Sequence, residues 1–195
     1  MKTEDINICV FGASSGRVDK TYTEAAHELG RLMAGQGWTC VNGAGAQGLM
    51  RAVSDGALMA GGRVTGVIPK FMVDNGWCYD RLNEVIITAD MHERKLQMAE
   101  MTQAVVALPG GCGTLEELLE AITWRQLGLS TRPIVLLNTH GYYDSLLKML
   151  QRCIDEQFMK HSHQALWTVA GTPQEAIEAI AFEVRQGPIQ LEGKY

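Results

Sequence analysis

Apolar and polar positions along this 195-residue chain follow two periods in alternation. Short apolar runs predict strands over residues 6–11, 39–42, 64–68, 84–88, 104–108, 134–137 and 166–169. Between them apolar residues recur at three- and four-residue spacing, which predicts helices over 21–34, 48–60, 91–101, 114–127, 143–156 and 173–185. Strand and helix alternate from end to end. The expected architecture is therefore α/β: a Rossmann-like, doubly wound parallel sheet with helices on both faces. No repeat, low-complexity stretch or linker breaks the pattern, so a single domain over residues 1–195 is expected, with a loosely held tail at 186–195.

In such a fold, ligands bind outside the carboxyl ends of the strands, near the point where strand order reverses. Three loops that follow strands are rich in glycine and small polar residues. The first runs Gly12-Ala-Ser14-Ser15-Gly16, the second Gly43-Ala-Gly45-Ala-Gln-Gly48, the third Pro109-Gly110-Gly111-Cys112-Gly113. Their convergence at one edge points to a nucleotide pocket. The third is the most informative. It joins an apolar strand to a helix opened by Thr114, and the unpaired N–H groups and dipole of a helix start favour an anion, so a phosphate fits there. Glu116 and Glu117, in the first helical turn, would repel that phosphate unless one of them meets a sugar or a water. The competing account is a capping box, with Thr114 as N-cap and Glu117 three residues on.

Two other features bear on the ligand. Gly43-x-Gly45-x-x-Gly48 has the spacing of a dinucleotide fingerprint, but it follows the second strand. The next strand ends in Pro69, where an acidic partner for the ribose should stand, so the match to a dinucleotide site is weak, and glycines that only permit tight strand-to-helix packing are the alternative. Met91, Met98 and Met101 line one face of the fourth predicted strand's successor helix, which carries Arg94 and Lys95. That helix directly follows a strand, so its first turn lies at the ligand edge, where a guanidinium can reach phosphate or purine. The alternative is a solvated face, the two cations balanced by Glu93 and Glu100.

Composition removes several classes. Hydrophobic residues make up 46% and charged residues 20%, ordinary for a globular protein, and the net charge of −5 argues against a nucleic-acid backbone as partner. Five widely spaced cysteines without a C-x-x-C pair suggest reduced thiols and a cytoplasmic location. No leader-like segment and no apolar run long enough for a membrane is seen, so no membrane association is expected. Neither metal nor cofactor is expected. His161 and His163 lack a third ligand, and Cys112 lacks the paired histidine of a Cys–His enzyme.

The segment Pro109-Gly-Gly-x-Gly-Thr-x-x-Glu117, preceded by Met91-His-Glu-Arg94-Lys95, resembles the LONELY GUY (LOG) family, and the resemblance runs from about Ile8 to about Phe158. It implies a phosphoribohydrolase that releases adenine or a cytokinin base, an N6-prenylated adenine, from a nucleoside 5′-monophosphate. It also implies that Arg94 and Glu117 are catalytic, that Lys95 contacts substrate, and that the chain forms a homodimer in which Thr123 contacts a ligand across the interface. Asn42, Ala44 and Gly76 depart from the family pattern, Gly76 standing where a substrate-binding glutamate is usual. Trp77 is then a candidate for lining the base pocket. A non-catalytic nucleotide or cofactor carrier on the same fold is the alternative. The family's older label, lysine decarboxylase-like, fails on chemistry, because no lysine stands in the context of a pyridoxal Schiff base.

Overall fold

The computed structural model describes residues 6–186, so most of the expected tail, residues 187–195, lies outside the described residues. Seven strands form one parallel sheet: β1 (Asn7–Phe11), β2 (Thr39–Asn42), β3 (Arg63–Pro69), β4 (Glu84–Thr88), β5 (Ala104–Ala107), β6 (Ile134–Leu137) and β7 (Thr168–Ala170). Their order is β4-β3-β2-β1-β5-β6-β7. The chain builds outward from β1 to one edge, then returns to the centre and builds outward to the other. The reversal falls between β1 and β5, whose register pairs Phe11 with Ala107. The loops after these two strands therefore leave the sheet side by side.

Seven α-helices accompany the strands: α1 (Lys20–Gly35), α2 (Gly48–Met59), α3 (Lys70–Asp74), α4 (Met91–Glu100), α5 (Cys112–Gln126), α6 (Asp144–Asp155) and α7 (Pro173–Gln186). Successive residues of a strand point to opposite faces, and the two apolar clusters divide accordingly. Ile8 and Val10 of β1 join α1, α2 and α7 through Leu29, Met33, Val53 and Ile177. Cys9 and Phe11 join α4, α5 and α6 through Met98, Leu118, Ile122 and Leu150 on the other face. Both faces are buried. This is why the strands read as near-continuous apolar runs with little alternation.

Three elements differ from expectation. Helix α3 has five residues, too few to show a 3.6-residue period. Residues His161–Leu166 form 3-10 turns, and the last strand starts at Thr168; the buried Leu166 belongs to the turn and packs into the core from there. Helix α5 begins at Cys112, two residues before Thr114. Its N-cap is Gly111, in an extended conformation, with no side-chain capping bond, so the capping-box account of Thr114 does not hold.

Candidate active site

Backbone hydrogen bonds draw the three glycine loops together. Ala13 N donates to Pro109 O at 3.1 Å, and Leu49 N donates to Ala13 O at 2.8 Å, so the loop after β1 bridges the other two. Gly48 makes this approach possible. Its φ is +65°, and a methyl there would lie 2.4 Å from Ala13 O and 2.7 Å from Ser15 O. Gly12 packs between Leu108 and Leu49, while Ser14 and Ser15 stand exposed above it. Across the way, Ala46 N donates to Trp77 O and Tyr79 N donates to Ala44 O, with Gly45 paired to Cys78. The segment carrying Gly76 and Trp77 thus forms a rim on the second glycine loop, with the indole exposed.

The two residues that depart from the family pattern in that loop support each other. Asn42 is fully buried; its carbonyl oxygen accepts from Ala44 N at 2.9 Å and its amide donates to Ser54 Oγ at 2.9 Å. The bond to Ala44 holds that residue at φ +57°, a left-handed conformation costly for alanine. An asparagine side chain here does the work of a more pliable backbone.

The third loop carries the start of α5. Gly111, Cys112 and Gly113 are exposed, Thr114 is buried, and no side chain caps the helix. With no side chain capping it, this helix start keeps N–H groups available to an anion. Two tyrosines that sequence reasoning missed support this loop from behind. Tyr142 Oη donates to Gly110 O at 2.5 Å, and Tyr143 Oη donates to Leu108 O at 2.7 Å, on either side of Pro109. The signal was present in Gly141-Tyr-Tyr-Asp144, leading into α6. The N-cap position of α6 is Tyr143, with no side-chain capping bond; Asn138 accepts from Tyr143 N through its carbonyl oxygen, and Asp144 is the first residue of the helix.

Helix α4 delivers the cation. Asp90 caps it, accepting from His92 N and Glu93 N at 2.8 and 2.9 Å, and Glu93 accepts in return from Ala89 N. Glu93 is therefore committed to the cap and does not balance Arg94. The Arg94 side chain turns inward and is 8% exposed. Its Nε donates to Val67 O at 3.1 Å, Nη1 lies 3.1 Å from Glu117 Oε1 and 3.7 Å from Met91 Sδ. Gly43 lies against the remaining nitrogen: a methyl there would sit 2.0 Å from Nη2. A buried guanidinium is tolerable only when paired and hydrogen-bonded, and Glu117, 9% exposed, supplies the charge.

Burial pushes the Glu117 carboxyl above the usual carboxylate range; the Arg94 charge opposes that, Glu116 and Glu120 add to it, and Lys95 opposes it. A carboxylate so placed is a candidate acid–base or electrostatic group. Lys95 turns the other way from Arg94, its Nζ 2.5 Å from Glu116 and 3.1 Å from Glu120. The structure thus brings Gly12, Gly43, Gly110–Thr114, Met91, Arg94 and Glu117 together. Thr123 is not among them. It lies about 13 Å along α5 from Thr114, at about 1.5 Å per residue, and its hydroxyl donates to Leu119 O within its own helix.

The chain is similar over most of its length to proteins of one family. Residues 50–180 match the family model described as "Possible lysine decarboxylase". A protein of Oryza sativa subsp. japonica, named "Probable cytokinin riboside 5′-monophosphate phosphoribohydrolase", is 43% identical over 173 residues, which cover 89% of this chain and 69% of that one. An Arabidopsis thaliana cytokinin riboside 5′-monophosphate phosphoribohydrolase is 39% identical over 180 residues, covering 92% and 79%. Among solved structures, the Moco carrier protein of Chlamydomonas reinhardtii superposes with a TM-score of 0.72 at 25% identity, over 93% of this chain and 99% of that one.

Proposed function

The chain belongs to the LONELY GUY family, and from that premise we infer that it is an N-glycosyl hydrolase acting on purine nucleoside 5′-monophosphates. The bases are adenine or N6-modified adenine, and the products are the free base and ribose 5-phosphate. One observation carries this reading: a buried Arg94–Glu117 pair, 3.1 Å apart, beside an uncapped helix start. A protein that only carries a ligand needs the loops but not a buried ion pair beside them.

The geometry supports one mechanism. The 5′-phosphate binds the N–H groups at the start of α5, within Gly110–Thr114, beside the Gly12–Ser15 loop. This sets the ribose over Glu117. As the C1′–N9 bond breaks, its electron pair leaves with the purine and positive charge develops on the sugar, which the Glu117 carboxylate stabilises. The same carboxylate orients water and accepts its proton as oxygen bonds to C1′. Arg94 donates hydrogen bonds to the nucleotide, and a proton taken up by the base completes its release.

Phosphate dependence tests the reading. AMP should release adenine at a kcat/KM at least about a hundredfold above adenosine, because the loop and helix start contribute binding only to a phosphorylated ligand. Equal rates for the two would remove the phosphate role of Gly111–Thr114.

We propose further that the chain is homodimeric and cytoplasmic. Leu119 of α5 and Leu96 of α4 are exposed, as are Val85 and Ile87 on the edge strand β4, a set suited to a second copy. Thr123 lies exposed on the same helix, where a partner's ligand would meet it. Sedimentation equilibrium at micromolar concentration should give twice the mass of one chain, and a monomer would defeat the proposal. Among the described residues no helix is long and apolar enough to cross a membrane.

A further inference from the structure

A small cavity lies behind Glu117, between α4, α5 and the sheet. Lys95 and Ala99 line it from α4, Glu117, Glu120 and Trp124 from α5, Cys9 from β1, and Arg132 from the segment before β6. Lys95 and Glu117 thus line one small cavity, and Arg94 pairs with Glu117 at 3.1 Å. Lys95 is far less exposed than a surface lysine, at 11%, and its three donors are turned to two carboxylates of the neighbouring helix, Glu116 and Glu120. The charges meeting at this junction are Arg94 and Lys95 from α4 against Glu116, Glu117 and Glu120 from α5, with Arg132 at the far wall. Cys9 is neutral there, its thiol held protonated by burial.

We infer that Lys95 is a positioning residue: it clamps Glu116 and Glu120 across the α4–α5 junction and so fixes the charge balance around Glu117, acting through those carboxylates. The inference rests on Glu117 acting at the ribose. Without the lysine, Glu116 and Glu120 would lose their paired cation, and the buried Glu117 beside them would be harder to ionise. Interactions fall slowly with distance in a partly buried site, so a charge one helix turn away still matters. Glu117 must be ionised to stabilise the sugar cation. Activity is therefore gained as pH rises through the Glu117 pKa, and any change that raises that pKa moves the acidic limb of the rate profile to higher pH.

The test is the pH profile of kcat at saturating AMP for Lys95→Met, Lys95→Arg and Glu116→Gln. Lys95→Met should move the acidic limb up by about one pH unit, the scale of losing one near charge. Lys95→Arg should restore the wild-type limb, and Glu116→Gln should move it down. The Glu117 carboxyl can also be titrated by carbon NMR without substrate, so the inference can be judged even if base release from AMP fails and the functional reading falls. An unmoved limb and an unmoved Glu117 titration in Lys95→Met would overturn it, as would a tenfold rise in KM with the limb unchanged, which would place Lys95 on the nucleotide.

Discussion

Glu117→Gln is expected to slow adenine release from AMP by at least about a hundredfold, the scale of a lost acid–base or electrostatic group. The substitution is nearly isosteric. A glutamine oxygen can still accept from Arg94 Nη1, now 3.1 Å from Glu117 Oε1, so the buried guanidinium keeps an acceptor and the site keeps its shape. What disappears is the negative charge under the sugar and the group that accepts the water's proton. AMP affinity, measured by calorimetry, should therefore stay within a few-fold while kcat collapses. A variant that binds and turns over normally would take Glu117 out of the mechanism and leave it as a structural partner of Arg94.

Gly43→Ala should have a comparable effect from outside the reacting groups. The added methyl would lie 2.0 Å from Arg94 Nη2, 3.1 Å from its Cζ and 3.2 Å from Met50 Sδ. Both neighbours are ends of flexible side chains, so the fold should survive, with far-ultraviolet circular dichroism unchanged. The guanidinium must move, and with it the bonds to Val67 O and Glu117. A displacement of about 1 Å at a reacting centre can cost about a hundredfold, and kcat/KM for AMP should fall on that scale. Wild-type kcat/KM in a folded Gly43→Ala protein would show that the observed Arg94 position is not required.

How far the chain reveals itself before folding depends on the range of the interactions involved. The sheet was legible because strands covered on both faces leave apolar runs such as Ala104–Ala107 and Ile134–Leu137. The glycine loop before α5 was legible because glycines before a helix are a local signal. The start of α5 was misplaced because Thr114 looks like a cap, whereas Gly111 caps with backbone alone and leaves no side-chain signature. Arg94 and Glu117 could each be named, but their pairing could not. It depends on α4 crossing the sheet face to meet α5, and on Gly43 leaving room. The contacts of Tyr142 and Tyr143 with the loop carbonyls are likewise tertiary, and the partners of Lys95 sit on a different helix from the glutamates that balance it by sequence spacing.

The most direct test of the central claim is product analysis with the unmodified protein. Incubated with excess AMP and resolved by chromatography, it should yield adenine and ribose 5-phosphate in equal amounts, with many turnovers per chain. AMP that binds but is recovered intact would contradict the account and leave a nucleotide-binding protein with a buried ion pair of purely structural use.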